Sequence, residues 1–106
     1  MQKSALGSSD LQVTPLTLGT MTFGKEADEA TSHALLDAYV AAGGNLIDTA
    51  DVYAEGLSEE IIGRWLKSSG KRDDVLIATK ARFALEKGGP RGLHPDYLRG
   101  AIEDNL

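Results

Sequence analysis

Three short apolar runs, each followed by a segment of helical period, constrain this chain more than any other feature. Residues 16–19, 45–49 and 75–79 are short, apolar and bounded by glycine, proline or charged turns, the pattern of buried strands. Between the first two, Ala27, Ala30, Ala34, Ala38 and Ala41 recur at three- and four-residue spacing, which predicts a helix over 26–42 stopped by Gly43-Gly44. Ile61, Ile62, Trp65 and Leu66 give a second helix its buried face before Gly70, and Trp65 on that face reads as core. Pro95 suits the first position of a third helix, with Leu98, Ala101 and Ile102 as its packing face. Alternation of this kind builds a parallel sheet with right-handed crossovers. An open doubly wound sheet and a (βα)8 barrel both satisfy it. No G-x-G-x-x-G follows a strand and no Walker loop is present, which weakens the nucleotide-binding doubly wound reading.

Ahead of the alternation, Ala5-Leu6 and Leu11-Gln12-Val13 flank Gly7-Ser8-Ser9-Asp10, so residues 1–15 read as a hairpin ended by Pro15. Residues 16–106 then form the βαβαβα part. Asp28 and Glu29 lie near the start of the first helix, where acids suit its dipole. Ser58, followed by Glu59 and Glu60, is expected to be the N-cap of the second. Lys71-Arg72-Asp73-Asp74 reads as a solvated turn. Residues 84–92, with Gly88-Gly89-Pro90 and Gly92, read as a flexible loop.

Composition removes several function classes. The 106 residues suffice for one small domain, and 42% hydrophobic with 25% charged residues describes a globular chain rather than a disordered one. A net charge of -5 argues against nucleic acid as a partner. The absence of cysteine excludes disulfides, thiolate catalysis and cysteine-ligated zinc, and fits a reducing cytoplasm. No apolar run reaches signal-peptide or membrane-span length, so no membrane partner is expected. His33 has no second ligand at i+4 and reads as a packing or surface histidine, so no metal site is expected.

In parallel α/β folds the functional groups gather at the C-terminal ends of strands. Asp48 ends the second core strand and Lys80 the third; Tyr53 follows in the turn. Alternation places Leu46 and Asp48 on one face, and Leu76, Ala78 and Lys80 on one face, with Ile47, Val75, Ile77 and Thr79 toward the helices. Asp48 and Lys80 then form a buried or half-buried ion pair. An ammonium beside a phenol favours the phenolate, and such a phenol can give its proton to a carbonyl oxygen as hydride arrives at carbon. On spacing alone, a structural salt bridge with Tyr53 as a loop aromatic is the favoured reading. The two glycines of the 19–24 segment suit either a close approach of a ligand to the backbone or a plain turn.

Asp48-Thr49-Ala50-Asp51-Val52-Tyr53, Thr79-Lys80, the Gly19-Thr20-Met21-Thr22-Phe23-Gly24 loop, the N-terminal hairpin and Ser58-Glu59 together resemble the aldo-keto reductase family. The resemblance runs in order from about Leu6 to the last residue. It implies a (βα)8 TIM barrel, reduction of aldehydes and ketones with NADPH, and a small carbonyl compound as substrate. By the same resemblance Tyr53 matches the proton donor, Asp48 and Lys80 the residues that tune it, and Gly19, Thr20, Met21 and Asp48 positions near the nicotinamide. Asp51 is left as a loop carboxylate.

A full (βα)8 barrel takes about 250 residues. The chain therefore reads as the N-terminal portion of one, a hairpin plus about three βα units. The family's catalytic histidine, at the end of the next strand, falls beyond Leu106, and neither His33 nor His94 stands in for it. The loops that grip the rest of the cofactor belong to later strands. Three strands leave two open edges and an uncovered face, which predicts a homo-oligomer joined through those edges or that face. A catalytically incompetent, self-associating module is the competing expectation, and the 83–92 loop is expected to form one wall of the substrate pocket.

Overall fold

The computed structural model describes residues 1–82 and 92–105. The 84–92 loop and the pocket wall expected from residues 83–92 lie outside them, Gly92 apart. The order of elements is β1 (Ser4–Ala5), β2 (Gln12–Val13), β3 (Leu18–Gly19), α1 (Glu29–Ala41), β4 (Leu46–Asp48), α2 (Leu57–Ser69), β5 (Leu76–Ala78) and α3 (Pro95–Asn105). β1 and β2 pair antiparallel as the expected hairpin. β3, β4 and β5 form a parallel sheet in that spatial order. β4 and β5 are shorter than their apolar runs by one residue at each end, and β3 by two residues at its start.

Register explains which side chains meet. Leu18, Ile47 and Ile77 lie side by side, as do Gly19, Asp48 and Ala78 in the next row. The first row faces the helices. Ile47 is fully buried there with Phe23, Leu36, Ile61, Ile62, Trp65 and Val75, and Leu18 and Ile77 pack against them. Each such side chain contributes about 1.5–3 kcal/mol through burial. The second row lies on the opposite face, where Leu46, Asp48 and Leu76 are half-buried and Gly19 and Ala78 exposed.

The helices depart from the expected bounds for local reasons. α1 begins at Glu29 because Asp28 is its N-cap, its carboxylate accepting from Thr31 N at 2.8 Å. Of the alanine stripe only Ala27, ahead of the helix, packs against the core; Ala30, Ala34, Ala38 and Ala41 are exposed, and Ser32 and Leu36 are the buried residues of α1. In α2 the N-cap is Gly56, so Ser58 is not the cap that its residue type suggests. It sits one position inside the helix with no exposure at all, in register with Ile61, Ile62 and Trp65. α3 starts at Pro95 as expected; Leu98 and Ala101 are half-buried but Ile102 is 61% exposed.

A polar network fastens the hairpin beneath the sheet. Thr14 N donates to Asn45 Oδ1 at 2.9 Å, and Asn45 Nδ2 donates to Gln12 O at 2.8 Å. Tyr39 Oη lies 2.7 Å from Leu16 O and accepts from Leu46 N at 3.1 Å. Gly44 makes room for that ring, since a Cβ there would fall 2.2 Å from Tyr39 Cε2 and Cζ.

Candidate functional site

The top of the sheet assembles a charged cluster by continuing the β4–β5 pairing past the strands. Thr49 N donates to Ala78 O at 2.8 Å and Asp51 N donates to Lys80 O at 3.1 Å. The two strand tips therefore leave the sheet together, with Asp48 and Lys80 on the same face. Lys80 Nζ donates to Asp48 Oδ2 at 2.8 Å, to Thr49 O at 2.9 Å and to Tyr53 Oη at 3.1 Å. An ammonium has three hydrogens, and each has an acceptor. The expected ion pair is half-buried on one side only: the Asp48 side chain is 35% exposed and that of Lys80 51%. Burial works against the Lys80 ammonium, but its hydrogen bonds to Asp48 and Tyr53 and the attraction of both outweigh it and hold its pKa above the ordinary lysine value.

Tyr53 reaches the cluster from a strained turn. Tyr53 N donates to Ala50 O at 3.2 Å, and a 3-10 turn over Tyr53–Gly56 follows. Within it Ala54 (φ 50°), Glu55 (φ 57°) and Gly56 (φ 94°) are successively left-handed, two of them without being glycine. The turn leads directly into α2, with Gly56 as its N-cap.

The neighbouring residues divide by exposure. Gly19 pairs with Asp48 in the sheet, is exposed, and a Cβ on it would meet nothing within 4 Å. Met21 is 63% exposed. Thr20 is fully buried, and its polar atoms are engaged inside the protein: N–H and hydroxyl donate to Asp48 O at 3.0 and 2.9 Å, and its carbonyl accepts from Ser58. Asp51 is not the plain loop carboxylate that its position suggests. It is 7% exposed, burial raises its pKa, and Val52 N–H and the Tyr97 hydroxyl of α3 donate to it. His33, half-buried, sets Nε2 3.0 Å from Ile61 O. It lines a groove of about 690 Å³ between α1 and α2 with Asp28, Glu29, Arg64 and Ser68, which shares no residue with the cluster.

Sequence reasoning missed Thr49 and Ser58. A signal for both was present. Thr49 alternates with Asp48 and so faces the helices, and Ser58 is the one hydroxyl in the Ile61, Ile62, Trp65 stripe of α2.

A parallel α/β unit with an acid, an ammonium and a phenol joined at its strand ends defines a class of site before any comparison is made. Residues 15–106 match the Aldo/keto reductase family. The chain belongs to that family. It is 39% identical over 119 aligned positions to Protein tas of Escherichia coli, covering all of this chain and 34% of that protein. It is 42% identical over 86 positions to the aryl-alcohol dehydrogenase [NADP(+)] of Phanerodontia chrysosporium, covering 74% of this chain and 22% of that one. Among solved structures, aldo-keto reductase AKR11C1 from Bacillus halodurans, in its holo form, superposes with a TM-score of 0.85 at 38% identity, over the whole of this chain and 35% of its own. The chain thus spans a fifth to a third of the length of the curated relatives it matches. Its fold is that of the corresponding part of a TIM barrel; the described residues form no closed barrel. No helix among them is long and apolar enough to cross a membrane.

Proposed function

We propose that this chain supplies the proton-donating part of an NADPH-dependent reductase of small aldehydes and ketones, with Tyr53 as donor. The observation that carries the reading is the bridging position of Lys80 Nζ, bonded at once to Asp48 Oδ2 and Tyr53 Oη. Because Lys80 donates to the phenol oxygen, the hydrogen of Tyr53 is free to point at a substrate carbonyl. As that proton leaves, the adjacent ammonium stabilises the phenolate left behind. Asp48 balances the ammonium and fixes its direction, and Thr49 O takes the third hydrogen so that Lys80 has one position rather than several. NADPH, when bound, supplies the hydride to the carbonyl carbon.

The residues near Tyr53 suit a flat nicotinamide ring. Gly19 offers bare backbone and open space beside Asp48, Met21 offers exposed apolar surface, and Thr20 braces the floor from behind. The cytoplasm is the setting that fits a cysteine-free chain. Among the described residues β3 and β5 each pair on one side only. Their outer edges support self-association, which sedimentation of the purified chain would detect.

The test follows NADPH absorbance with 4-nitrobenzaldehyde and the purified 106-residue chain. Little or no oxidation is expected from the chain alone, because the site lies on an open sheet face, and Tyr53→Phe abolishes whatever turnover there is. Turnover that survives Tyr53→Phe overturns the assignment of the donor. Complete inactivity favours a second reading, a folded module without catalysis, for which the half-open position of Lys80 speaks.

A further inference from the structure

Behind the charged cluster lies a second set of polar groups, all buried. Thr20, Thr49 and Ser58 are each at most 1% exposed; the first two follow β3 and β4 directly, and the third lies in α2. Ser58 Oγ stands 3.1 Å from Thr49 Oγ1, 3.0 Å from Thr20 Oγ1 and 2.9 Å from Thr20 O. Thr20 Oγ1 stands 2.9 Å from Asp48 O.

Each hydroxyl has a single hydrogen, and this sets the direction of the chain. Asp48 O is an acceptor only, so Thr20 donates to it. Ser58 then donates to Thr20, whose carbonyl is also an acceptor only. Thr49 is left to donate to Ser58. The hydrogens run one way, from Thr49 through Ser58 and Thr20 to the main chain of Asp48. No buried side-chain nitrogen or oxygen among the described residues is left without a partner.

Thr49 joins this chain to the cluster on the other face. Its hydroxyl is held by Ser58, and its carbonyl accepts from Lys80 Nζ at 2.9 Å. We propose that Thr49, Ser58 and Thr20 are positioning residues: their hydroxyl chain fixes the Thr49 carbonyl and the Asp48 backbone from behind the sheet, and so sets where the Lys80 ammonium stands against the Tyr53 phenol. Its catalytic meaning rests on Tyr53 being the proton donor, but the placement of Lys80 is measurable without turnover.

A hydroxyl cluster that served stability alone would leave Lys80 untouched when it is removed. The experiment is a side-chain nitrogen NMR titration of Lys80 in the 106-residue chain and in three variants. Thr49→Val exchanges the hydroxyl for a methyl at nearly constant volume, Ser58→Ala removes the middle link, and Thr49→Ser keeps the hydroxyl. Thr49→Val and Ser58→Ala are expected to lower the Lys80 pKa toward its ordinary value, while Thr49→Ser leaves it unchanged. A melting temperature that falls in Thr49→Val and Ser58→Ala while Lys80 titrates as before overturns the proposal. The unaltered chain gives a second reading that needs no variant to fold. The Thr49 and Ser58 hydroxyl protons exchange slowly if bonded in this order, and rapid exchange at both overturns it as well. NADPH oxidation that survives Tyr53→Phe would overturn the assignment of Tyr53 as donor and leave the Lys80 result standing.

Discussion

Lys80 Nζ lies 3.1 Å from Tyr53 Oη and 4.9 Å from the centre of the Tyr53 ring. The ammonium thus meets the phenol at its oxygen, with the ring face as a lesser contact. Its pKa is raised: burial alone would lower it, and the Asp48 and Tyr53 bonds prevail. A lysine whose folded pKa is raised adds stability that is complete below the unfolded value of about 10.4 and is lost as pH rises through the folded value. Lys80→Met should therefore cost a constant amount of stability from neutral pH to about pH 10, with the gap to the parent chain closing above that. Urea denaturation at a series of pH values measures it. A gap that widens above pH ~10 would show that the ammonium is not the stabilising form.

The ring of Tyr39 occupies the space where a side chain at Gly44 would stand, and it has nowhere to retreat. Its oxygen is held by Leu46 N at 3.1 Å, lies 2.7 Å from Leu16 O and 3.2 Å from Thr14 Oγ1. Gly44→Ala is expected to cost about 1–3 kcal/mol, as overpacking of a filled site does. In a Tyr39→Leu background the same change should cost much less, because the obstructing ring is gone. Equal costs in the two backgrounds, from thermal or urea unfolding, would place the penalty elsewhere.

How much was legible in the sequence depends on the range of the interaction. The alternation of strands and helices and the face assignment of Ile47 against Asp48 follow from a period of two with one face buried, so they were readable from neighbours along the chain. The site residues came from the resemblance, since spacing alone favoured a plain salt bridge. Ser58 shows the opposite case. Its residue type signals an N-cap, but Gly56 takes that role and the hydroxyl turns toward Thr20, 38 positions earlier. Local preference lost there to a tertiary partner that no local pattern encodes. Asp51 was likewise read as a loop acid because Tyr97, which donates to it, lies 46 positions later on α3.

Asp51 makes a prediction of its own. Burial raises its pKa, with the Val52 and Tyr97 bonds acting in the other direction. A carboxyl whose folded pKa is raised adds stability that is complete below the unfolded value of about 3.9 and fades as pH rises through the folded value. Asp51→Asn has no charge to bury, and its side-chain carbonyl can still accept one of the two hydrogens. The variant should therefore gain on the parent chain as pH rises from about 4 toward neutrality. Denaturation midpoints across that range give the result. A variant that instead loses ground as pH rises would mean that the carboxylate, not the acid, is the form the fold favours.

Among the described residues, the turn after Tyr53 holds the two non-glycine residues with positive φ. Ala54 and Glu55 both hold positive φ, where a Cβ crowds the following carbonyl at a cost of roughly 1–2 kcal/mol each. Glycine removes that crowding but adds freedom to the unfolded chain, a loss of about 0.5–1 kcal/mol. Glu55 is exposed, and no hydrogen bond or ion pair of its carboxylate is among those described, so its replacement sacrifices little else. Glu55→Gly is then expected to stabilise the chain by up to about 1 kcal/mol. It should do so by moving the urea midpoint while the slope of the transition stays the same. A lower midpoint would mean that the left-handed pair is relaxed in this setting. Because the turn aims Tyr53 at Lys80, the same variant also asks whether the strain has a use. If the fixed hand of the backbone holds the phenol in place, Glu55→Gly gains stability while Tyr53-dependent NADPH oxidation falls, since a glycine turn samples more directions than this one.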